Sequence, residues 1–520
     1  MILINRYQKY FFNGLILSCG ALFMRAIGVA FNAYLFSHIG DEGMGLITLC
    51  AGVFGFAITF ACSGINLAVT RLVSADIAKG YGREGKIMRS ALIYCLLFSI
   101  TASIALFSCA EIIGTRLLGD SRVIPSIRLF ALSLCPISLS SALNGYFCAV
   151  RRVYKNVISQ FIEQGVRISL VSYFVLILAP HGLDFACVAV IGGGVISEFA
   201  SLIVSFVLYL LDKKIHSVTP IKPSQGGELY SICSIAIPVA ISAYVRSALS
   251  TIEHLAIPWG LRKCGLDYQK ALASYGVLHG MVVPLLLFPS AVLGAFSSLL
   301  VPELSSAREL GDNRRIRYIV SRVFAVSLLF SLGVSGIFVS FSYELGYFLY
   351  GSSEAGEYIR ILSPLIPLMY LDGAVDAMLK GLGEQLYTMR VNISDSIISV
   401  LLIVLLLPKM GISGYVIIIF VTELLNTSFS IIKLLNITNI KTPIIKWIIK
   451  PLITIILSTL IVRFLVDFNV LNALFGVVPS GKGFVFIEIG LSAIFYLLIS
   501  RVTGAISKDD LSLAKRIVKS

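Results

Sequence analysis

Long apolar segments, separated by short turns, dominate this sequence and restrict what it can fold into. Because a helix that crosses a bilayer needs about 20 apolar residues, we predict fourteen membrane helices. The segments span residues 10–38, 44–72, 88–110, 123–149, 156–179, 185–211, 231–257, 272–301, 318–341, 358–379, 391–407, 412–435, 444–466 and 484–503. A soluble domain has about 25% charged residues, whereas this chain has 13% and is 57% hydrophobic. The sequence therefore predicts an all-α polytopic membrane protein.

The basic residues predict how these helices are oriented. With the N-terminus placed inside the cell, twenty-eight of the 42 Lys and Arg residues fall in or beside inner loops, nine fall outside and five lie within spans. Cytoplasmic loops of membrane proteins carry this excess. We therefore expect a multi-pass protein of the cytoplasmic membrane with both termini inside. The net charge of +14 then requires no nucleic-acid partner. The first apolar segment is too long for a cleaved signal peptide, so we expect it to be retained.

The chain repeats itself weakly. A shift of 231 residues places Ser74, Arg83 and Pro136 on Ser305, Arg314 and Pro367, and Lys86 on Arg317. We predict two six-helix bundles related by pseudo-two-fold symmetry, residues 1–215 and 228–440. Two further helices follow at 441–505 and a cytoplasmic tail at 506–520. Such halves typically enclose a site near the membrane midplane and rock about it.

Three of the five arginines inside predicted spans point to a binding site, since a charge there costs roughly 2.5–3.5 kcal/mol on insertion scales. Arg25 and Arg246 lie near the middle of their segments, and Arg71 lies near the inner end of the second. Arg71 can equally be an interfacial anchor whose side chain reaches the membrane surface. Guanidinium groups in a shared cavity favour phosphate oxygens. We therefore predict a site for the anionic head group of a lipid.

Three further residues are assigned to this site. Glu253 follows Arg246 by seven positions and shares its helix face. Glu253 and the adjacent His254 are candidates for coupling to protons or cations. Asn66, near Arg71, is a candidate polar contact for the substrate.

Polar residues also recur along the fifth segment at helical spacing: Gln160, Glu163, Gln164 and Arg167. One interpretation is a polar cavity wall; the other is a Glu163–Arg167 pair that joins helices.

Other acidic residues in the spans have a simpler interpretation. Asp376 and Lys380 have the i,i+4 spacing of a local ion pair. Single acids such as Glu198, Asp395 and Glu423 are expected to be satisfied packing groups.

Motifs for chemistry are missing from the sequence. The 10 cysteines include no CxxC pair, and neither HExxH nor GxSxG occurs. We therefore predict no catalytic residues, no metal and no cofactor, and no enzymatic activity.

Several motifs resemble those of the stage V sporulation protein B and polysaccharide-exporter family. They are Gly40-Asp-Glu-Gly-Met-Gly-Leu46, Asn144-Gly-Tyr-Phe147, Ser159-Gln-Phe-Ile-Glu-Gln-Gly-Val-Arg167 and Leu300-Val-Pro-Glu-Leu-Ser305. In contrast to many relatives, Cys148-Ala149 follows Phe147. The family belongs to the multidrug/oligosaccharidyl-lipid/polysaccharide flippase superfamily, which includes the lipid II flippases.

The resemblance implies two six-helix bundles, alternating access, a polyprenyl-pyrophosphate-linked sugar as cargo, and a lipid-tail groove at helices 13 and 14. It also implies basic residues at Arg25, Arg71 and Arg262 and an acid at Glu253.

The leading hypothesis is a flippase for a lipid-linked cell-wall precursor or polysaccharide unit. Its expected partners are this substrate, membrane lipids and a coupling proton or cation, and we expect a monomer. The alternatives are a multidrug/cation antiporter of the same superfamily and a polytopic glycosyltransferase or polymerase. The antiporter needs an acidic cavity, and the enzyme needs carboxylates and substrate loops at a membrane face.

Overall fold

The computed structural model describes residues 2–79, 81–215, 227–265, 267–440, 443–467 and 484–505. The predicted tail at 506–520 lies outside them. Within these ranges the regular structure is helical throughout. The α-helices are α1 (Ile2–Cys62), α2 (Ile65–Lys79), α3 (Glu84–Ile112), α4 (Ile124–Ala131), α5 (Leu134–Ala149), α6 (Tyr154–Leu178), α7 (Leu183–Ile215), α8 (Glu228–Lys263), α9 (Tyr268–Tyr275), α10 (Val283–Leu287), α11 (Ser290–Glu309), α12 (Asn313–Ser340), α13 (Ser342–Tyr350), α14 (Ser353–Leu362), α15 (Ile366–Gly381), α16 (Gln385–Thr438), α17 (Lys450–Asp467) and α18 (Phe484–Val502).

Eleven helices of the described chain are long and apolar enough to cross a membrane, or up to twelve if a bent pair forms one span. Two of them are too long for one crossing. The stretch Leu22–Ile77 has 56 residues, or roughly 84 Å at 1.5 Å per residue, whereas a whole bilayer is about 40–45 Å thick. With the bent pair counted as one span, splitting this stretch and α16 into two crossings each raises twelve to the predicted fourteen. By length and apolarity alone, the exact number stays a prediction.

Glycine provides the break in both long helices. Gly40 has φ +70° within α1, and Gly411 has φ +59° within α16. With ψ at −176° and −139°, these positive-φ conformations are open essentially only to glycine and cost another residue about 1–3 kcal/mol, and they interrupt the helical path without any intervening loop. Each long helix is therefore two arms joined at one residue.

Proline bends a segment that the sequence predicts as one helix, 123–149. Pro136 has no N–H, so the carbonyl of Leu132 loses its helical partner. The chain bends by 44° there, between α4 and α5. Close to the bend, the Ser103 hydroxyl donates to the Ala131 carbonyl over 2.6 Å.

The same chemistry recurs between α14 and α15. Pro367 removes the partner of the Ser363 carbonyl, and the Ser335 hydroxyl of α12 donates to that carbonyl over 2.8 Å. Within a bilayer a freed carbonyl needs a replacement donor, and here a side chain of a neighbouring helix supplies it.

The described residues fall into two compact units. Unit 1 comprises the described residues within Met1–Ala33, Val277–Ser399 and Ile412–Ser520. Unit 2 comprises the described residues within Tyr34–Gly276 and Val400–Gly411. The core of unit 2 packs around fully buried Tyr94, Phe147 and Leu143. The core of unit 1 includes Met378 and Leu434, and Phe324 stacks on Trp447 with ring centroids 5.7 Å apart.

The 231-residue shift found in the sequence also relates the starts of several helices. The starts of α3, α5 and α6, moved by 231 residues, fall within two residues of the starts of α12, α15 and α16. This agreement supports an internal duplication. The bundle boundaries at 215, 228 and 440 stay a prediction.

Candidate functional site

In unit 2, one face of α8 packs against the second arm of α1. The Thr251 hydroxyl donates to the Gly52 carbonyl over 2.8 Å, and the Thr59 hydroxyl donates to the Ser247 hydroxyl over 3.2 Å. A Cβ on Gly52 would lie 2.9 Å from the Cβ of His254, so the two helices approach closely there. This face is fixed by backbone and hydroxyl contacts.

His254 lies on the packed face and contacts α9. Its Nδ1 is 2.8 Å from the Tyr275 hydroxyl, and the two rings meet edge to face with centroids 6.3 Å apart. Neighbouring residues on a helix point about 100° apart. The two side chains of His254 and Glu253 leave α8 in different directions, yet both interact with Tyr275: His254 by its hydrogen bond and Glu253 through its charge. A coupling role for His254 stays a prediction.

The exposed surface of α8 has two distinct faces. An apolar stripe contains Ile237, Ile241, Val245, Ile252 and Trp259, all exposed.

Arg246 and Glu253 lie on the other face, about 100° around the helix from that stripe. Arg246 is exposed and Glu253 half-buried, and Ser250 lies between them. Since the apolar stripe is the surface suited to lipid, the Arg246 face is suited to a hydrated cavity. A binding role for Arg246 stays a prediction.

The predicted site residues on α2 differ in what they contact. The Asn66 side chain donates to the Ser141 carbonyl of α5 over 3.2 Å, so its amide already serves helix packing. Arg71 is exposed, and within the described chain it makes no ion pair. It lies one turn beyond exposed Leu67. Both predicted roles of Arg71, substrate contact and surface anchor, fit this position.

Arg25 belongs to unit 1, where it serves a helix junction. Its Nη1 donates to the Leu287 carbonyl over 3.0 Å and to the Ser290 hydroxyl over 2.8 Å. The Ala291 N–H bonds to Phe288 instead, and the Leu287 carbonyl between α10 and α11 accepts from both Arg25 and the Ser290 hydroxyl, the latter over 2.7 Å. The guanidinium retains further donors and is exposed. Since Arg71 and Arg246 belong to unit 2, a cavity shared by all three arginines stays a prediction.

The polar stripe on α6 contains an interhelical ion-pair network. Arg167 is 3.0 Å from Glu163 on its own helix and 3.0 Å from Glu198 on α7. The local pair was predicted as one of two alternatives, and the structure adds Glu198 as its third member. Gln160 is exposed and Gln164 half-buried. A role of this stripe as a cavity wall stays a prediction.

Sequence inspection misses a buried cluster at one end of unit 2. The Asp212 carboxylate of α7 pairs with both Arg152 and Lys155 and accepts a hydrogen bond from the Tyr146 hydroxyl over 3.2 Å. Its side chain is 2% exposed. The partners are more than 50 positions away in sequence, and no motif links them.

A second cluster lies beyond α3. Arg122 contacts Asp120 at 2.6 Å and Glu42 at 2.9 Å. Burial raises the pKa of the Asp120 carboxyl, but hydrogen bonds from the side chain and backbone of Arg122 and its charge outweigh burial. The net result is a pKa below the ordinary value. The Asp120 carboxylate is therefore charged at neutral pH. Arg122, which contacts both Asp120 and Glu42, links the chain after Gly40 to this turn.

Two acids of unit 1 hydrogen-bond to neighbouring side chains, although Oδ1 of Asp376 is buried without a hydrogen-bond partner. Asp376 contacts Lys380 at 3.4 Å, which confirms the predicted local pair, and it accepts from Asn392 at 3.3 Å. Asn426 donates to Asp372 at 3.4 Å. Within the residues that the structure describes, no group of three His, Cys, Asp or Glu side chains has the arrangement of a metal site.

Comparison with known proteins decides the family. The family model described as "Polysaccharide biosynthesis protein" matches residues 12–306, more than half of the chain. This chain belongs to the polysaccharide biosynthesis protein family. A second model, MatE, matches residues 265–405.

Two relatives from Bacillus subtilis (strain 168) match most of the length. Stage V sporulation protein B is 28% identical over 78% of this chain and 80% of its own. Lipid II flippase MurJ is 22% identical over 77% of each chain. The resemblance predicted from the motifs is confirmed.

Solved structures share the fold at lower identity. Lipid II flippase MurJ in an inward closed conformation aligns with a TM-score of 0.68, 13% identity, 94% of this chain and 99% of that one. An inward-facing multidrug resistance MATE transporter aligns with a TM-score of 0.63, 15% identity, 82% of this chain and 99% of that one. These likenesses confirm the all-helical fold, and the eleven long apolar helices of the described chain support a multi-pass membrane protein.

Proposed function

We propose that this member of the polysaccharide biosynthesis protein family is a flippase, which moves a polyprenyl-pyrophosphate-linked sugar across the cytoplasmic membrane by alternating access. The family description and the relatives' names, a sporulation protein and a lipid II flippase, support this substrate class. Alternating access moves the substrate without making or breaking covalent bonds, so we propose a transporter without enzymatic activity. We also propose that it works as a monomer. The charge asymmetry of the loops supports both termini inside.

The observation that carries the proposal is the position of Arg246. It lies exposed on a face of α8 that is distinct from the apolar stripe, and Glu253 shares that face. A guanidinium offers forked donors for phosphate oxygens. Arg71 would supply a second charge, and Arg25 a third through the nitrogens that Leu287 does not occupy. Asn66 would contact the substrate only if its side-chain amide gave up its hydrogen bond to the Ser141 carbonyl of α5.

Glu253 is the proposed coupling group. A carboxylate on the same face as Arg246 competes with the substrate phosphate for the guanidinium, and its protonation or cation binding weakens that competition. The membrane potential acting on the cavity charges is a second source of energy.

A drug/cation antiporter is the competing function. The MatE match at residues 265–405 and the MATE folds favour it, as do the acids Asp372 and Asp376 on α15. An antiporter holds organic cations on carboxylates. Arg246 and Arg71 would oppose such cargo.

The test measures flipping of a defined polyprenyl-pyrophosphate glycan in proteoliposomes. A hydrogen bond to a charged group contributes about 1.5–3 kcal/mol, so Arg246→Ala should lower the transport rate at limiting substrate about 10- to 100-fold. Arg246→Lys should retain more activity because it keeps the charge. Lys270→Ala is the matched control, since it removes one exposed basic residue of unit 2 outside the proposed site.

Full transport by Arg246→Ala would refute the assignment of Arg246. Export of an organic cation by wild type, without glycan flipping, would favour the antiporter.

A separate measurement addresses coupling. Glu253→Gln cannot titrate, so its flipping rate should lose the pH dependence that wild type shows. An unchanged rate with an unchanged pH profile would contradict the coupling role and leave the flippase proposal intact.

A further inference from the structure

A basic pocket lies where the helices of unit 1 end. It is lined by Arg308 at the end of α11, Asn313 and Arg317 in the first turns of α12, and Asn439 after α16, with Leu382 at its base. Its volume is about 190 Å³, several times the ~30 Å³ share of one water. The pocket lies at the level of the chain turns and has room for a phosphate-sized group.

The two arginines of this pocket are available for a ligand. Both are exposed, and within the described residues neither forms an ion pair. A Cβ on Gly383 would lie 2.4 Å from Nη1 of Arg308. Gly383, at φ +75°, therefore provides both the turn and the space that the guanidinium occupies.

Nearby acids are already engaged. Asp312 accepts the backbone N–H of Arg315 at 3.0 Å and caps α12, and Glu303 pairs with the Arg315 side chain. Neither acid lines the pocket. Exposed Glu309, which follows Arg308 in the chain, also lies outside the pocket lining, so among the described residues no acid faces the two arginines within the pocket.

The internal repeat shows what is missing. In unit 2, Arg83 after α2 is held by buried Asp76, with Nε 3.2 Å from the carboxylate. A shift of 231 residues replaces Asp76 with buried Ala307. Arg314 is the counterpart of Arg83 and Arg317 that of Lys86, so unit 1 retains these basic residues without the carboxylate that pairs with Arg83 in unit 2.

The second acid is missing as well. At the same offset Asp212, which pairs with Arg152 and Lys155 in unit 2, is replaced by Pro443, and its two partners are replaced by Gly383 and Leu386. This ion-pair cluster therefore has no counterpart in unit 1, and the charge of the pocket comes from Arg308 and Arg317 at the helix ends.

We propose that this pocket binds a phosphate-bearing anion, with Arg308 and Arg317 as its charged donors and the amides of Asn313 and Asn439 as neutral ones. Paired guanidiniums match phosphate oxygens, and basic pockets between membrane helices bind anionic head groups. The phosphate belongs either to an anionic lipid or to a soluble phosphate. The site is separate from Arg25, Arg71 and Arg246, so it stands without the proposed transport function.

The experiment measures binding to the full-length protein in a zwitterionic detergent. The probes are phosphatidylglycerol, phosphatidylcholine as the neutral comparison, and inorganic phosphate or pyrophosphate. The double variant Arg308→Gln/Arg317→Gln should weaken phosphatidylglycerol or phosphate binding at least tenfold. The variant Arg308→Lys/Arg317→Lys should retain part of it, and it shows that the turn still folds.

Lys86→Gln/Arg89→Gln is the matched control, because it removes two exposed basic residues of α3 in the repeat-related turn of unit 2. It should change binding less than twofold. Binding of phosphatidylglycerol without binding of soluble phosphate identifies a lipid head group, and competition by soluble phosphate identifies a soluble ligand. Unchanged binding in Arg308→Gln/Arg317→Gln, or an equal loss in the control, would overturn the proposal.

Discussion

Removal of the Asp212 carboxylate should be among the most destabilising single changes at the helix ends of unit 2. Asp212 is 2% exposed and Lys155 9% exposed, while Arg152 is 27% exposed. Asp212→Ala would leave Lys155 buried without a counter-charge. Breaking a buried pair by removing one partner costs about 3–5 kcal/mol. At roughly 2 °C per kcal/mol for a unit of this size, the unfolding midpoint should fall by about 6–10 °C.

Thermal unfolding of the purified protein in detergent, followed by intrinsic fluorescence, measures this shift. Glu344→Ala is the control: it breaks the Arg463–Glu344 pair, whose side chains are 47% and 35% exposed, and exposed pairs contribute about 0–1 kcal/mol. Adding Lys155→Met to Asp212→Ala should recover part of the loss, since it removes the unpaired charge. A midpoint for Asp212→Ala no lower than that of the control would refute this reasoning.

Two further changes test packing and charge elsewhere in the chain. Gly276→Ala would place its Cβ 2.4 Å from the backbone nitrogen of Gly45, and such overpacking should cost about 1–3 kcal/mol, whereas Gly28→Ala meets nothing within 4 Å and should leave the unfolding midpoint nearly unchanged. The lowered pKa of Asp120 beside Arg122 contributes stability that is present above the unfolded pKa of about 3.9 and is lost as the pH falls through the folded pKa. Asp120→Asn should therefore be less stable than wild type at pH 7, and the two proteins should converge in an acid titration of the unfolding midpoint; a constant difference would contradict this assignment.

The helices were predictable because apolar length is a local property of the sequence. The bends and breaks within the helices were harder to predict. Pro136 and Pro367 are visible in the sequence, but whether a proline bends a helix depends on which neighbouring side chain satisfies the freed carbonyl. Ser335, which does so for Ser363, carries no sequence signal for this role.

Ion pairs were likewise predictable from the sequence only where they are local. Pairs at i,i+4 spacing, such as Asp376–Lys380, follow from helix geometry and were predicted. Glu198 was expected to be satisfied, yet its partner Arg167 on another helix could not be named. Exposure of Arg246 on a face apart from the apolar stripe likewise required the three-dimensional packing of α8.

The single-residue breaks at Gly40 and Gly411 have a practical consequence for mapping topology. Since the arms on either side of each glycine continue as helix, these positions offer no slack in which an inserted reporter or epitope can be accommodated. The turns after α11 and α15, around Gly311 and Gly383, interrupt the helices for several residues and are better places for such a label. Labels in these two turns would show which side of the membrane each turn faces.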